Sequence, residues 1–369
     1  MDLSEITIII ITVILGTIGL ALFGIIFGLF YKGIDRKISA HMQGRIGPPI
    51  VQPFRDVVKL FTKENIVPEN AIPWVFNLAP VIGLVGSITI LLFIPIGGFQ
   101  PLLDGVITIN GQHLSLYFGD LILILYLLMI PSLAMVIGGF SSGSPYATVG
   151  AQREMATMIA YEFPLAIIIL SIAYRFSRPD ITSVTNNQNV FALSTIAGTP
   201  IWNSVSILGL FGFAILLLVL VIVTPAELSK IPFDAPEAET EIAGGLLAEY
   251  SGRNLAMFYL TDGVKTVVMG SIIIAIFFPY NLSPVLGLES YPAFAVDIIF
   301  YLVKLFLIIL FSVTLIRVAI ARLKIDQIVY TYWIPLTLLA LFGLIFIMWD
   351  LTALTEWEWS NIGDMLGSI

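Results

Sequence analysis

The feature that most restricts what this chain can become is a recurring apolar run, about twenty residues long each time, separated by polar connections. A helix of that length crosses the hydrocarbon of a bilayer with all its backbone groups bonded internally, whereas no soluble core needs such runs repeatedly. Spans are expected at Ile6–Tyr31, Ile72–Phe99, Asp120–Phe140, Met155–Tyr174, Asn203–Thr224, Leu255–Phe278, Phe294–Ile316 and Tyr330–Trp349. Composition agrees: 58% of residues are hydrophobic and 11% are charged. The expected fold is an all-α polytopic membrane protein with about eight transmembrane helices, one membrane domain over residues 1–369, multi-pass in the cell membrane with the lipid bilayer as its solvent. The first run is too long for a cleaved signal and follows Asp2 and Glu5 rather than basic residues, so it is read as an anchor.

Orientation is read from the basic residues. Thirteen of the 17 Lys and Arg lie in the connections after the first, third, fifth and seventh spans, which the positive-inside rule places in the cytoplasm, with both termini outside. The outer connections Gln100–Gly119 and Arg175–Trp202 mix turn residues with short β-prone runs such as Val106–Ile109, predicting small ordered caps rather than domains. No internal repeat is evident, which weakens a transporter built on inverted repeats.

Two cytoplasmic connections are patterned. In residues 32–71, Gly44, Gly47, Pro48, Pro49 and Pro53 form a turn, and Phe54, Val57, Val58, Leu60 and Phe61 then alternate with Arg55, Asp56, Lys59 and Lys63 as an amphipathic helix lying in the interface. Residues 225–254 gather acid. Between Thr224 and Asn254 stand Glu227, Asp234, Glu237, Glu239, Glu241 and Glu249 against Lys230 and Arg253. Pro225, Pro232 and Pro236 forbid one continuous helix. A new helix is expected to start at Asp234, capped by its carboxylate with Glu237 reaching back, so that Glu237 and Glu241 share a face.

Ionisable groups inside the spans are costly and therefore informative. Glu162 lies in the fourth span without a partner in its own helix, and Glu154 lies two turns before it on nearly the same face beside Arg153, which suits a structural ion pair. Asp262 and Lys265, spaced i, i+3 in the sixth span, are expected to neutralise each other. Asp297 in the seventh is read as a plain interfacial residue near the outer end, and Gly24 and Gly28 as a helix-packing step. The absence of Cys excludes thiolate-held metal and iron–sulfur clusters from this chain, and two distant histidines, His41 and His113, predict no metal site. A net charge of −8 argues against nucleic acid as a partner.

These residues resemble a family. Pro232-Phe233-Asp234, Pro236-Glu237-Ala238-Glu239, Glu241 and Glu249-Tyr250-Ser251-Gly252 look like the signature loop of the subunit 1 (H-type) family of respiratory complex I and its energy-converting hydrogenase relatives. Gln43-Gly44-Arg45, Gly47-Pro48, Gln52-Pro53, Asp56 and Lys59-Leu60 extend the likeness, as do Tyr161-Glu162, Arg322, Lys324, Asp326 and Gln327, across nearly the whole chain. The resemblance implies a membrane coupling subunit, without a redox centre of its own, in a redox-driven proton or sodium pump. It implies an ion path through Glu162, Glu237, Glu239, Glu241 and Asp262, which the charged residues of the spans extend to Glu154 and Lys265. It also implies a coupling loop and redox-arm docking surface at Gln43, Arg45, Asp56, Lys59, Asp234, Glu249, Arg253, Arg322 and Asp326. Its partners would be cytoplasmic iron–sulfur and large hydrogenase-like subunits, which hold the nickel–iron and iron–sulfur centres, and antiporter-like membrane subunits.

Only Pro49, Ile50 and Val51 separate Gly47-Pro48 from Gln52-Pro53, a shorter loop than the quinone-linked members carry. With Gly150-Ala151-Gln152-Arg153-Glu154-Met155, this short form is similar to the membrane-anchoring, ion-translocating subunit of archaeal membrane-bound nickel–iron hydrogenases and the related sulfane-sulfur reductases. Three alternatives stay open: a quinone-binding subunit of a complex I-like dehydrogenase, a stand-alone secondary transporter using Asp262, Lys265 and Glu162, and a passive scaffold for a soluble arm.

Overall fold

The computed structural model describes residues 3–97, 104–109, 112–117, 120–177, 191–287 and 290–356; the terminal residues whose side of the membrane was expected lie partly outside this set. Among the described residues, eight helices are long and apolar enough to cross a membrane. Helix α1 (Leu3–Met42) is followed by the short α2 (Gln52–Thr62), α3 (Pro73–Leu91), a hairpin of β1 (Asp104–Ile109) and β2 (Gln112–Tyr117), α4 (Leu121–Ser141) and α5 (Pro145–Phe176). Then come α6 (Ile207–Glu227), α7 (Gly252–Phe277), α8 (Ser290–Ile309, prolonged through a π-helical turn at Leu310–Thr314 to Ala319) and α9 (Ile325–Thr331, prolonged through a second π-helical turn at Tyr332–Leu336 into Thr337–Glu356). The antiparallel hairpin pairs Asp104 with Tyr117 and Ile109 with Gln112, and an isolated antiparallel bridge joins Asp120 to Ala192; the other regular elements among the described residues are helical. The bundle thus has a hairpin end and, opposite it, an end where the charged connections gather.

Proline sets several helix starts. Pro53, Pro73 and Pro145 occupy the first turns of α2, α3 and α5, where the missing amide hydrogen costs nothing. Helix α5 consequently begins well before its apolar run, and Arg153 and Glu154 are helical. Helix α1 likewise continues to Met42, so Lys32, Asp35 and Arg36, expected in a connection, ride on a helix instead.

The bundle is assembled around α7. In its most apolar stretch 94% of residues are buried, against 17–56% for the other spans, which makes it the axis rather than a lipid-facing wall. Small residues let its neighbours close in. A Cβ on Gly28 would lie 2.4 Å from the Gly263 carbonyl oxygen, and one on Gly24 would meet Leu91 and Val264, so the expected packing step is where α1 crosses α7. The amphipathic α2 lies beneath: Val57 packs with Leu29 and Leu260, while Arg55, Val58, Lys59 and Phe61 face outward.

Buried polar groups fasten the bundle at both ends. Asp35 accepts hydrogen bonds from Thr314 Oγ1 at 2.7 Å and Arg317 Nη1 at 2.8 Å, tying α1 to the π-helical turn of α8. A π-turn inserts an extra residue per turn, which rotates Thr314 inward. Asp350 of α9 takes the Ser206 hydroxyl at the start of α6. Asp297 is not a plain interfacial group: it is 7% exposed and receives the amides of Leu282 (3.0 Å) and Ser283 (2.9 Å) and the Ser283 hydroxyl (2.6 Å), fixing the turn before α8.

Replacing Gly28 by Val forces side-chain atoms into the backbone of α7. Overpacking of this kind costs about 1–3 kcal/mol or more. The expected result is a clearly lowered melting temperature in detergent, while Gly19→Val, with open space around its Cβ position, leaves it unchanged.

Candidate ion path and coupling loop

The acidic connection after α6 is broken into short pieces. Ala235–Glu237 and Gly245–Leu247 are single 3-10 turns, and Glu239–Ile242 is one helical turn. The helix expected from Asp234, with its capping box, does not form. The Asp234 carboxylate is held by Arg322 from the α8–α9 connection: Nε donates to Oδ1 at 2.8 Å and Nη2 to Oδ2, while Nη1 reaches Thr240 Oγ1 at 2.8 Å. A bidentate, charge-assisted pair outcompetes a neutral amide cap. Beyond it, Ala243, Gly244 and Gly245 adopt positive φ, and a Cβ on Gly245 would lie 2.3 Å from the Pro236 carbonyl oxygen, so the chain doubles back where only glycine fits. Glu237 and Glu241 therefore part company. Glu241 pairs with Arg153 at 2.5 Å, so the structural ion pair considered for Arg153 forms with the loop and not with its neighbour Glu154, and Glu237 turns inward.

Beneath the loop lies a cavity of about 190 Å³ bounded by α1, α4, α6 and α7, whose wall includes Lys32, Glu227, Lys230, Glu237, Asp262 and Lys265. Asp262 and Lys265 do not neutralise each other. Asp262 is 2.6 Å from both Lys32 and Lys230, and the Lys32 ammonium also sits 3.3 Å from the centroid of the Tyr259 ring, a cation–π contact. Lys265, which lines the same cavity, instead pairs with Glu227 at 2.8 Å and donates to Ser132 Oγ at 2.7 Å. Ser132 in turn lies 3.5 Å from the Tyr161 hydroxyl. Both side chains of the Glu227–Lys265 pair are 2% exposed, deep enough that neither charge is tolerable without the other.

Two carboxylates on α5 extend this polar interior. Glu154 is buried; one oxygen accepts the Ser229 hydroxyl at 3.3 Å and the other has no hydrogen-bond partner among the described residues. Ser229 lines the cavity, and its backbone has φ +47, an uncommon conformation for a residue with a side chain. Glu162, two turns further along, is half-buried and its Oε1 is also without a partner among the described residues. At the loop, burial pushes the Glu237 carboxyl above its ordinary value of 4.5, against the opposing pull of Lys230.

The remaining predicted positions lie on the surface of the charged end. Gln43, Arg45, Lys59, Glu239, Arg253 and Asp326 are exposed, and Glu249 is half-buried. Asp56 pairs with Arg36 at 3.2 Å and accepts from Gln52 Nε2 at 2.8 Å. Residue patterns missed Glu227, Lys32 and Lys230 as members of the site. A signal existed for Glu227, an acid directly at the end of a long apolar run, but Lys32 and Lys230 read as ordinary connection residues. Among the described residues, no three His, Asp or Glu side chains are grouped so as to hold a metal ion.

Fold and site together define a polytopic helical membrane protein with an ionic interior opening beneath one acidic loop. The profile of the family described as NADH dehydrogenase matches residues 15–348. The H-type subunit of the F(420)H(2) dehydrogenase of Methanosarcina mazei is 30% identical, covering 88% of this chain and 91% of that protein. Its counterpart in the NADH-quinone oxidoreductase of Anaplasma phagocytophilum is 31% identical over 73% of this chain and 74% of its own. A chain of the membrane-bound sulfane sulfur reductase, an archaeal respiratory membrane complex, superposes with a TM-score of 0.73 at 28% identity, covering 91% of this chain and 99% of that one. The chain belongs to the NADH dehydrogenase family of H-type membrane subunits, the subunit 1 family of complex I.

Two outcomes follow for stability. Lys265→Met strands Glu227 in the interior and is expected to cost about 3–5 kcal/mol, most of it recovered in the Glu227→Gln, Lys265→Met double variant; chemical denaturation of the four proteins measures the coupling. For Glu237, the folded protein favours the neutral acid, so the wild type loses stability as pH rises from 4.5 through the raised value. The melting temperature of Glu237→Gln relative to wild type should therefore increase between pH 4 and pH 8.

Proposed function

We propose that this chain is the membrane coupling subunit of a multisubunit, redox-driven ion pump in the cell membrane, with its charged end in the cytoplasm and both termini outside. The observation that carries this reading is the connected run of ionic groups from the loop inward. Arg322–Asp234 anchors the loop; Glu237, Lys230, Asp262 and Lys32 line the cavity; Glu227–Lys265, with Ser132 and Tyr161, carries polarity into the bundle; and Glu154 and Glu162 continue it along α5. In this arrangement an electron arriving in a docked redox partner changes the field at the loop. Carboxylates and amines held this closely titrate together, so a change in one is passed to the next. The exposed Gln43, Arg45, Lys59, Glu239, Arg253 and Asp326 would meet the redox arm, whose subunits would hold the nickel–iron and iron–sulfur centres, and antiporter-like subunits would take up the ion beyond Glu162.

The likeness to the sulfane sulfur reductase chain and the short first loop favour a quinone-independent complex of that kind or a membrane-bound hydrogenase. A second reading, a quinone-linked dehydrogenase subunit, draws on the NADH-quinone oxidoreductase relative and on a cavity with an aromatic wall at Phe258 and Tyr259.

The test is made on the assembled complex in vesicles, measuring electron transfer and ion uptake together. Glu162→Gln and Glu154→Gln should each slow ion transfer by about 100-fold, the lower range of what one positioned acid or base contributes. Variants that assemble, transfer electrons and pump as the wild type does would leave only a scaffold.

A further inference from the structure

Helix α6 ends on a residue that its backbone does not favour. The Ser229 amide donates to the Ala226 carbonyl at 2.9 Å and the Lys230 amide to the Pro225 carbonyl at 2.8 Å, while Ser229 itself takes φ +47. Two such bonds around a left-handed residue make the Schellman ending of a helix, and the left-handed position is usually glycine, which has no Cβ to crowd the backbone. Here it is a serine. A side chain kept where glycine is the easier choice is an outlier that points to what the side chain does.

Ser229 is buried, lines the cavity beneath the acidic loop and donates to Glu154 Oε2 at 3.3 Å. Glu154 lies behind it, 1% exposed and not among the residues that line the cavity. Of the side chains on that wall, Ser229 is the one hydrogen-bonded to Glu154 among the described residues. The other carboxyl oxygen has no hydrogen-bond partner among the described residues, so the Ser229 contact is what orients the group. The next residue turns elsewhere: the Lys230 ammonium lies 2.6 Å from Asp262 on α7. The last turn of α6 thus joins Asp262 on α7 to Glu154 on α5. We propose, on the reading of the acidic interior as an ion path, that Ser229 is a positioning residue for ion transfer, its hydroxyl being the contact through which the cavity reaches Glu154. Lys230, held by Asp262, fixes the backbone that aims that hydroxyl. A glycine would end α6 at least as well and would leave Glu154 Oε2 without its donor.

The test uses the assembled complex in vesicles, reading ion uptake per electron transferred, with the melting temperature of each variant alongside. Ser229→Gly removes the hydroxyl and suits the left-handed backbone. It should melt no lower than wild type and yet lower ion uptake per electron about tenfold, the scale of one hydrogen bond to a charged group. Ser229→Asn keeps a donor on a residue that tolerates this backbone region and should retain most of the uptake. Ser229→Gly combined with Glu154→Gln should be no slower than Glu154→Gln alone, because both changes remove the same contact. Full uptake in Ser229→Gly while Glu154→Gln is impaired overturns the role of Ser229 and leaves the ion path standing. Full uptake in both removes the path as well. The role of Ser229 is also overturned if Ser229→Gly melts lower than wild type, if Ser229→Asn loses as much uptake as Ser229→Gly, or if the losses in the double variant add.

Discussion

The structure depends on one constraint, the cost of placing charge where water is scarce. An ionised group in such a place persists only with a partner at close range and with further hydrogen bonds around it. Glu227 and Lys265 meet this condition at 2.8 Å, with Ser132 completing the lysine's contacts. Their pairing fixes the relation of α6 to α7, and Asp262 on the same helix, gripped by Lys32 and Lys230, fixes α1 and the loop. Segments distant in sequence are located by these ionic side chains and the helix between them.

That solution also places several ionisable groups close enough to interact with one another. A pair replaced by hydrocarbon would hold the helices at least as well, since buried ion pairs are poor stabilisers in net terms. What the ionic version adds is coupling. A charge altered at Glu237 changes the electrostatic environment of Lys230, Asp262 and Lys32, all around one cavity of about 190 Å³. The loop's broken backbone, with its positive-φ turn at Ala243–Gly245, belongs to the same design. A regular helix there would have turned Glu237 and Glu241 to one face, whereas the doubled-back chain sends one inward and the other to Arg153.

The two sides of the bundle differ in kind. The charged end is latched by ion pairs, Arg322–Asp234, Arg153–Glu241, Arg36–Asp56 and Arg317–Asp35, each joining elements that come from different parts of the chain. The hairpin end uses carboxylates as local organisers, Asp297 for the turn before α8 and Asp350 for the start of α6. The flank between α6, α7 and α8 carries an apolar cleft of about 520 Å³ with Lys304 among its lining residues.

Much of this was determined by the sequence alone. Continuous apolar runs of bilayer length dictate eight helical spans because a helix of that length bonds its backbone groups within the segment, and a 3.6-residue periodicity dictates the amphipathic helix at Gln52–Thr62. The acidic segment stands out by charge density, and Glu162 by having no partner within reach on its own helix. Partnership was the part that only the tertiary structure decided. Helix spacing alone pairs Asp262 with Lys265, its neighbour at i+3, yet it takes Lys230, 32 residues away, and Lys32 from the first helix. Asp234 is a plausible helix cap until Arg322, 88 residues on, claims its carboxylate. Helix periodicity says which side chains share a face, but which charge lies across from that face depends on how helices cross, and close approaches such as Gly28 on Gly263 settle it.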